Sequence, residues 1–255
     1  MNSDAPALHS SLMELRDLSS GVFLRRKNRF VGIVEIGGER SEIHVADPGR
    51  LRELLYPGNR VLVMAAGEAS TRRTRWSLVA GRGDKGWVLL NTTLHRKLAE
   101  SILARPGISP FAQLRGWKAE VSPSGISSRF DFLLDPDGPE PVWLEVKGCT
   151  LKSGDRALFP DAPTTRGTRH LRDLAGLSRE GSRCAVVFLV FPPGVGCFAP
   201  NSAMDPDFAS AFADALDAGV DFHFLRLDFD GERVLYEGAL PLCPEYEGPY
   251  SSKDE

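Results

Sequence analysis

The stretch Ser128–Lys147, S-R-F-D-F-L-L-D-P-D-G-P-E-P-V-W-L-E-V-K, decides the fold of the second half of the chain because it predicts a β-hairpin. Two runs rich in β-branched and aromatic residues flank a loop of Asp, Pro and Gly residues. If the loop centres on Gly138, antiparallel pairing places Asp131 opposite Glu145, with Cβ atoms about 5 Å apart. Side chains alternate along a strand, so Lys147 shares the face of Glu145. The hairpin therefore predicts a cluster of two carboxylates and one ammonium group.

This cluster has the composition of a metal-dependent catalytic site. Carboxylates this close raise each other's pKa, so the cluster needs a cation, and oxygen ligands suit Mg²⁺ or Mn²⁺. The predicted metal ligands are Asp131 and Glu145, with Glu120 on the preceding strand as a further acid. A bound metal can activate water for attack on a phosphodiester while Lys147 stabilises the developing charge, so we predict Asp131, Glu145 and Lys147 as catalytic residues. The simpler interpretation of Glu-x-Lys is a surface ion pair worth about 0–1 kcal/mol.

A small β-barrel is predicted ahead of the hairpin. Short alternating runs between Gly21 and Asn91 are separated by turn residues, and their number suits an OB-like barrel or an SH3-like barrel. A helix at Leu94–Leu103 connects this unit to a mixed α/β domain, in which Thr165–Leu177 and Pro206–Ala218 are predicted helices. The predicted boundaries are residues 1–20 for an N-terminal segment, 21–91 for the barrel, 92–243 for the α/β domain and 244–255 for an acidic flexible tail.

Composition and charge indicate an ordinary globular chain with a polarised charge distribution. The 255 residues are 42% hydrophobic and 25% charged, with a net charge of −3, which excludes collagen-like, coiled-coil and wholly disordered classes. Residues 21–85 carry 13 Lys and Arg against 7 Asp and Glu, whereas residues 203–255 carry 3 against 13. A basic barrel favours contact with polyanions, although clustered charge is also typical of a solvated face. The candidate phosphate contacts are Arg25, Arg26, Lys27, Arg29 and Arg50 on the barrel, and Arg166, Arg169 and His170 near the start of a helix.

Cysteine spacing and hydropathy predict a cytoplasmic protein without a membrane segment. The four cysteines form no C-x-x-C pair, so we expect four reduced thiols at Cys149, Cys184, Cys197 and Cys243. The first 20 residues lack the apolar stretch of a signal peptide. The longest apolar run, Cys184–Phe191, is too short to cross a bilayer.

Six motifs of the chain resemble those of the sugar fermentation stimulation protein A family, in order and in spacing. They are His44–Arg50 (H-V-A-D-P-G-R), Leu90–Thr92 (L-N-T), Ser128–Asp131 (S-R-F-D), Glu145–Leu151 (E-V-K-G-C-T-L), Phe159–Ala162 (F-P-D-A) and Arg166–Leu171 (R-G-T-R-H-L). The resemblance implies an α+β architecture, with an N-terminal OB-like barrel joined to a C-terminal restriction-endonuclease-like domain with a mixed sheet.

The same resemblance implies a role for the acidic cluster. In the restriction-endonuclease superfamily an Asp on one strand and Glu-x-Lys on the next bind a divalent metal, and Asp131, Glu145 and Lys147 match those positions. Glu120 falls where related nucleases often place one more acid. The family is usually described as DNA-binding, with a tie to regulation of sugar (maltose) metabolism genes.

Three classes of function therefore stay open at the level of sequence. The first is a DNA-binding protein with a Mg²⁺-dependent or Mn²⁺-dependent nuclease-like site, acting on DNA in preference to RNA. The alternative is a non-catalytic DNA-binding regulator of sugar metabolism genes, and a module that binds RNA or protein is a third class. The sequence does not distinguish single from double strands, endonuclease from exonuclease action, or one oligomeric state from another.

Overall fold

The structure is a computed structural model that describes residues 8–67, 73–111 and 114–246. Its N-terminal part is a closed five-stranded barrel. The barrel strands are β2 (Leu18–Asn28), β3 (Val31–Ile36), β4 (Glu39–His44), β5 (Arg60–Ala65) and β6 (Trp76–Arg82). They pair antiparallel in the order β4-β3-β2-β5-β6, and a parallel pairing between β4 and β6 closes the barrel. Alternation along each strand places Phe23, Val34, Ile43 and Val61 in the barrel interior.

The C-terminal part is a mixed sheet that continues from the barrel. Strand β7 (Trp87–Leu89) pairs with β6 of the barrel and, at one position, with β15 (Asp221–Phe229). From β15 the order runs to β13, β10, β9 and β8, with β10, β13 and β15 mutually parallel. The other strands of this sheet are β8 (Trp117–Val121), β9 (Phe130–Leu134), β10 (Val142–Cys149) and β13 (Arg183–Val190).

Three helices, a second sheet and two further strands complete the fold. Strand β16 (Arg233–Leu240) pairs with β15 and with β1 (Ser10–Glu14), so the N-terminal strand belongs to the C-terminal sheet. The helices are α1 (His95–Leu103), α2 (Thr165–Arg179) and α3 (Pro206–Asp217). The second sheet consists of β11 (Leu151–Ser153), β12 (Arg156–Phe159) and β14 (Cys197–Pro200).

Two hydrophobic clusters lie on opposite faces of the mixed sheet. Val187 and Leu189 of β13 belong to a cluster that also contains the barrel interior and α1. Val186 and Phe188 belong to a cluster with α2 and α3. Because one cluster includes residues of both the barrel and the sheet, the two domains share a core and hold a fixed position against each other.

Most elements follow the sequence prediction, and the differences have local causes. The three predicted helices are present within two residues of their predicted ends, and Asp205 caps α3 by accepting a hydrogen bond from the amide of Phe208. Strands β11, β12 and β14 were not predicted because each has only three or four residues, with Gly and Asp between the first two. The predicted 1–20 segment is wrong as a separate unit, since it contains β1 and the start of β2.

Two further expectations need correction. Cys197 and Cys243 form a disulfide, whereas Cys149 and Cys184 are free and buried, so the prediction of four reduced thiols is wrong. The two half-cystines are separated by 46 residues in sequence. Their segments are joined by two backbone hydrogen bonds, in which the Cys243 amide donates to the Phe198 carbonyl and the Phe198 amide donates to the Pro241 carbonyl. The predicted flexible tail begins too early, because residues 244–246 form a 3₁₀ turn. The rest of that tail, 247–255, lies outside the described residues.

Among the helices of the described residues, none is both long and apolar enough to cross a membrane. The prediction of a cytoplasmic location stays a prediction.

We expect Phe198→Ala to lower the free energy of unfolding by about 3–5 kcal/mol. Phe198 is fully buried, with ring centroids 4.4 Å from Phe188 and 4.3 Å from Phe224, so truncation leaves a cavity in the cluster under α3. Phe30→Ala is the matched control, because the Phe30 side chain is 48% exposed on the barrel. Urea unfolding of both variants measures the difference, and equal losses would contradict the assignment of Phe198 to the core.

Candidate functional site

The hairpin that carries the acidic cluster has the predicted register. Val142 pairs with Leu134 and Leu144 with Phe132, and continuing this register by one residue places Asp131 opposite Glu145. Beyond Leu144 the backbone pairing of the two strands ends, and the amide of Val146 donates instead to the side-chain oxygen Oδ2 of Asp131 at 2.7 Å. The Asp131 carboxylate is therefore fixed at the edge of β10, beside Glu145.

Glu145 is a buried carboxylate with one satisfied and one unsatisfied oxygen. The Glu145 side chain is buried, and its Oε1 accepts hydrogen bonds from Lys147 Nζ at 2.6 Å and from His170 Nδ1 at 2.6 Å. Oε2 is buried, and within the described part of the chain it has no hydrogen-bond partner. Burial raises the pKa of Glu145, but the Lys147 ammonium and the His170 hydrogen bond outweigh burial and hold that pKa below its usual range. Glu145 is thus ionised, with one oxygen left for a further cation.

His170 orients this carboxylate from α2. The ring is buried, and Arg166 Nε lies 3.4 Å from His170 Nε2. When Arg166 donates to Nε2, the ring proton is on Nδ1, which then donates to Glu145. Sequence analysis predicted His170 as a phosphate contact, but in this structure both ring nitrogens are occupied by protein groups. We therefore assign His170 as a positioning residue of the acidic site.

Asp131 has the opposite electrostatic environment. Burial raises its pKa to about 7, and the neighbouring Glu145 charge acts in the same direction. The hydrogen bond from the Val146 amide and the charge of Lys147 partly oppose this shift. At pH 7 the Asp131 carboxyl is therefore about half protonated, and a divalent cation bound beside it would displace that proton.

Glu120 lies opposite Asp131 in the register of β8 and β9 but makes no ladder pair there. Its φ is +56°, and its neighbours Ala119 and Val121 pair with β9 in an unbroken register. The Glu120 carboxylate forms an ion pair with Arg129 at 2.8 Å, and its charge also contributes to the raised pKa of Asp131. Across residues 8–67, 73–111 and 114–246, no group of three or more His, Cys, Asp and Glu side chains is arranged to hold a metal ion. Of the three predicted ligands, Asp131 and Glu145 thus lie side by side, whereas Glu120 is paired with Arg129.

The donor set nevertheless fits a hard divalent cation. Mg²⁺ is commonly held by one or two carboxylates and keeps several waters, so Asp131 and Glu145 are a sufficient protein contribution. The buried, unpartnered Oε2 of Glu145 is the observation that matches such an ion, because a buried acceptor without a partner costs about 1–3 kcal/mol.

The predicted barrel contacts have different environments. The Arg26 guanidinium donates to the backbone carbonyls of Gly49, Arg50, Arg29 and Asp47, so it braces a loop rather than facing solvent. Lys27 forms an ion pair with Glu42. The remaining predicted arginines on the barrel and on α2 are all exposed; they are Arg25, Arg29, Arg50, Arg166 and Arg169.

Two of the predicted phosphate contacts converge on one cleft with Lys147. The cleft has a volume of about 370 Å³ and lies between the barrel, the start of α1 and the start of α2. Arg29 lines it from the barrel, Arg166 from α2 and Lys147 from β10. His95 also lines the cleft, and sequence analysis did not identify it, although it lies only three residues after the L-N-T motif.

Two aspartates at the mouth of this cleft accept hydrogen bonds from backbone amides of a barrel loop. Asp161 Oδ2 accepts a hydrogen bond from the amide of Leu51 at 3.2 Å, across the two domains. Asp47 Oδ1 accepts from the amide of Gly49 at 2.7 Å. Burial raises the pKa of Asp47 to about 6, and the nearby Asp161 charge adds to the shift. The H-V-A-D-P-G-R and F-P-D-A motifs thus meet at the domain junction.

Comparison with known proteins gives a consistent result along the chain. The family model described as "Sugar fermentation stimulation protein RE domain" matches residues 93–233, and "SfsA N-terminal OB domain" matches residues 24–90. The OB match decides between the two barrel classes that the sequence left open. Sugar fermentation stimulation protein homologs are similar at 41% identity in Methanococcoides burtonii, covering 92% of this chain and 96% of the relative, and at 45% in Methanothermobacter thermautotrophicus, covering 85% and 89%.

A solved structure is also similar over nearly its whole length. It is the structure of Pyrococcus furiosus SfsA in complex with Ca²⁺, with a TM-score of 0.83 and 31% identity. The similarity covers 91% of this chain and 99% of that chain.

We expect Glu120→Gly to be more stable than Glu120→Ala by about 1 kcal/mol. Both substitutions remove the carboxylate and its ion pair with Arg129, but only glycine relieves the left-handed backbone at φ +56°. Urea unfolding of the two variants isolates the backbone contribution. Equal stabilities would contradict a strained backbone at Glu120.

The Asp47 environment predicts a pH dependence of stability. Because the folded-state pKa of about 6 is above the usual 3.8, the folded protein binds more protons than the unfolded chain between about pH 4 and 6. This contribution to the free energy of unfolding is present at low pH and is lost as pH rises through 6. In Asp47→Asn this fall should be absent, as measured by urea unfolding at intervals from pH 4 to 7. Parallel pH curves for the wild type and the variant would contradict the prediction.

Proposed function

The chain belongs to the sugar fermentation stimulation protein family, and from this premise we propose that it is a divalent-metal-dependent nuclease that binds DNA. The observation that carries the proposal is the buried, unpartnered Oε2 of Glu145, next to Asp131 and on the face that holds Lys147. A purely structural Glu–Lys ion pair does not need a second carboxylate with a raised pKa beside it.

Asp131 and Glu145 are the residues that would hold the metal, with Mg²⁺ or Mn²⁺ as the proposed ion. Two carboxylates leave open positions for water and a phosphate oxygen, as in other Mg²⁺ sites that act on phosphates. The Ca²⁺ complex of the Pyrococcus furiosus relative supports a site for a hard cation in this fold. When bound, the metal supplies Lewis-acid activation of the phosphodiester and lowers the pKa of a coordinated water.

Protein groups supply the remaining chemistry. The Lys147 side chain is 10% exposed and lines the cleft, so its ammonium faces a phosphate bound there and stabilises negative charge as it develops. His170 and Arg166 fix the Glu145 carboxylate, which keeps Oε2 directed away from Lys147. Arg29 and Arg166 bind backbone phosphates on either side of the cleft.

DNA is the proposed partner, with the barrel as the docking surface. The exposed Arg25 and Arg50 extend the basic surface beyond the cleft on the barrel side, and the exposed Arg169 extends it along α2. Contacts of this kind are independent of sequence and depend on salt concentration. They would serve binding and take no part in hydrolysis.

A second candidate function is a DNA-binding regulator of sugar metabolism genes that does not cleave. The ion pair of Glu120 with Arg129 favours it, because it engages the third predicted ligand and leaves the metal two protein carboxylates rather than three. Such a protein would bind DNA and metal without turnover.

We expect Asp131→Asn, Glu145→Gln and Lys147→Ala each to lower the cleavage rate by at least about 10²-fold, because each removes a metal ligand or a positive charge at the transition state. Single-stranded and double-stranded DNA and RNA are incubated with protein and Mg²⁺, Mn²⁺ or EDTA. Glu140→Gln is the matched control, since Glu140 is an exposed acid, ion-paired with Arg183 beyond the opposite end of β10.

Metal binding is measured separately from cleavage. Mn²⁺ at 100 times its dissociation constant should stabilise the wild type by about 2.7 kcal/mol and leave Glu145→Gln unchanged. Metal binding without cleavage of any nucleic acid would favour the regulator. Cleavage that persists equally in all three active-site variants would exclude the nuclease, because it would come from a contaminant.

A further inference from the structure

The strongest unused feature of the molecule is His95, at the floor of the cleft. It is the first residue of α1, and its ring stacks on Phe191 with centroids 5.5 Å apart. The ring lies over Gly148 of β10, where an added Cβ would be 2.1 Å from His95 Cε1, so only glycine leaves room for it. Its Nε2 is buried and has no hydrogen-bond partner among the described residues.

An orphaned polar atom at this place indicates a ligand. Buried donors and acceptors are paired in the great majority of cases, and leaving one unpaired costs about 1–3 kcal/mol. Burial lowers the pKa of His95 to about 4, so near neutral pH the ring contributes a hydrogen bond rather than a charge. The ring is therefore suited to a polar group that enters the cleft.

The walls of the cleft are of two kinds. Arg29, Lys147 and Arg166 provide positive charge from three separate elements, and the N-terminus of α2 adds its partial positive charge. Leu151, Leu158 and Phe159 provide an apolar wall. A ligand that matches both has an anionic group joined to a flat, largely apolar one.

We propose that this cleft binds one nucleotide of a single strand, with its phosphate between Arg29 and Arg166 and with His95 Nε2 as a hydrogen-bond partner on the cleft floor. This inference rests on the proposed function and specifies its substrate as a single strand or an unpaired end.

The size and depth of the cleft favour a single strand over a duplex. About 370 Å³ is at the lower end of the range for small-molecule pockets, which is sufficient for one nucleotide. In a duplex the bases are paired and stacked, so a base can enter such a cleft only after it is flipped out, which costs a few kcal/mol. A single strand enters without this cost, and a barrel of the OB type binds single strands in other proteins.

The acidic groups on the cleft wall do not oppose a phosphate at this place. Asp161 accepts a hydrogen bond from the amide of Leu51, and Asp47 accepts one from the amide of Gly49. Their negative charge is partly balanced by these amides and by the Arg26 guanidinium, which lies close enough to lower the pKa of Asp47. The two aspartates hold the barrel loop through these hydrogen bonds. The side of the cleft lined by Arg29 and Arg166 therefore keeps its positive charge.

The test is binding of a fluorescein-labelled dT₈ strand and of a labelled eight-base-pair DNA hairpin, by fluorescence anisotropy in EDTA. We expect the wild type to bind dT₈ about tenfold more tightly than the hairpin. His95→Phe, which keeps an aromatic ring on Phe191, and Arg29→Gln should each weaken dT₈ binding by about tenfold, the equivalent of one lost hydrogen bond or charge contact. Arg183→Gln is the control, because Arg183 is at the far end of β13 from Lys147.

Thermal unfolding of each variant checks the fold, and Arg29→Gln, an exposed change, tests the cleft even if His95→Phe does not fold. Equal affinities of the wild type for dT₈ and for the hairpin would overturn the inference. It would also be overturned if Arg29→Gln, and His95→Phe where that variant folds, bound dT₈ as tightly as the wild type. If the wild type cleaves DNA but dT₈ binding is unaffected by the cleft substitutions, the cleft inference is wrong and the nuclease proposal stands. If the cleft substitutions weaken dT₈ binding but the wild type cleaves no nucleic acid, the cleft is a binding site and the nuclease proposal is wrong.

Discussion

A carboxylate in the middle of a β-sheet has to be compensated by neighbouring groups, and in this protein Glu145 imposes that requirement on three elements. Lys147 on the same strand and His170 on α2 both bond to Oε1, and Asp131 on β9 is held beside it by the amide of Val146. Isolated ion pairs of this kind rarely gain stability when buried, because desolvation offsets the attraction. The cation proposed at Oε2 would supply the compensation that Lys147 and His170 give only to Oε1.

The position of the barrel follows from a second constraint, the shared hydrophobic cluster. Residues of the barrel, α1 and one face of the mixed sheet pack together, and β7 continues the backbone pairing from one domain to the other. The cleft is thus a fixed space between packed units. Asp161 and Leu51 close the junction with a hydrogen bond, so basic residues of the barrel and the acidic pair of the sheet stay at a constant distance.

The sequence predicted those parts of the site that depend on local geometry. The register of β9 and β10 followed from the loop midpoint, and the shared face of Glu145 and Lys147 followed from alternation. Sequence could not show that His170 faces inward or that Arg26 binds four carbonyls, because both depend on chain segments distant in sequence. The left-handed backbone at Glu120 and its ion pair with Arg129 were also missed, since neither leaves a signature in residue types. The disulfide was missed for a similar reason, since a separation of 46 residues gives no local pattern.

Unsatisfied polar atoms are informative because folding selects against them, and their distribution in the described residues is uneven. Four buried side-chain atoms have no partner within that part of the chain: Arg26 Nε, His95 Nε2, Arg105 Nη1 and Glu145 Oε2. The other two guanidinium nitrogens of Arg26 donate hydrogen bonds, so this side chain is only partly unsatisfied. His95 and Glu145 differ, because each approaches the same short segment of β10, His95 at Gly148 and Glu145 beside Lys147. One is a neutral hydrogen-bonding group and the other an anion, so a single ligand type does not satisfy both. The proposed cation at the carboxylate and the proposed nucleotide at the imidazole would satisfy both, and the proposed metal-dependent nuclease with a strand in its cleft would bring those two together.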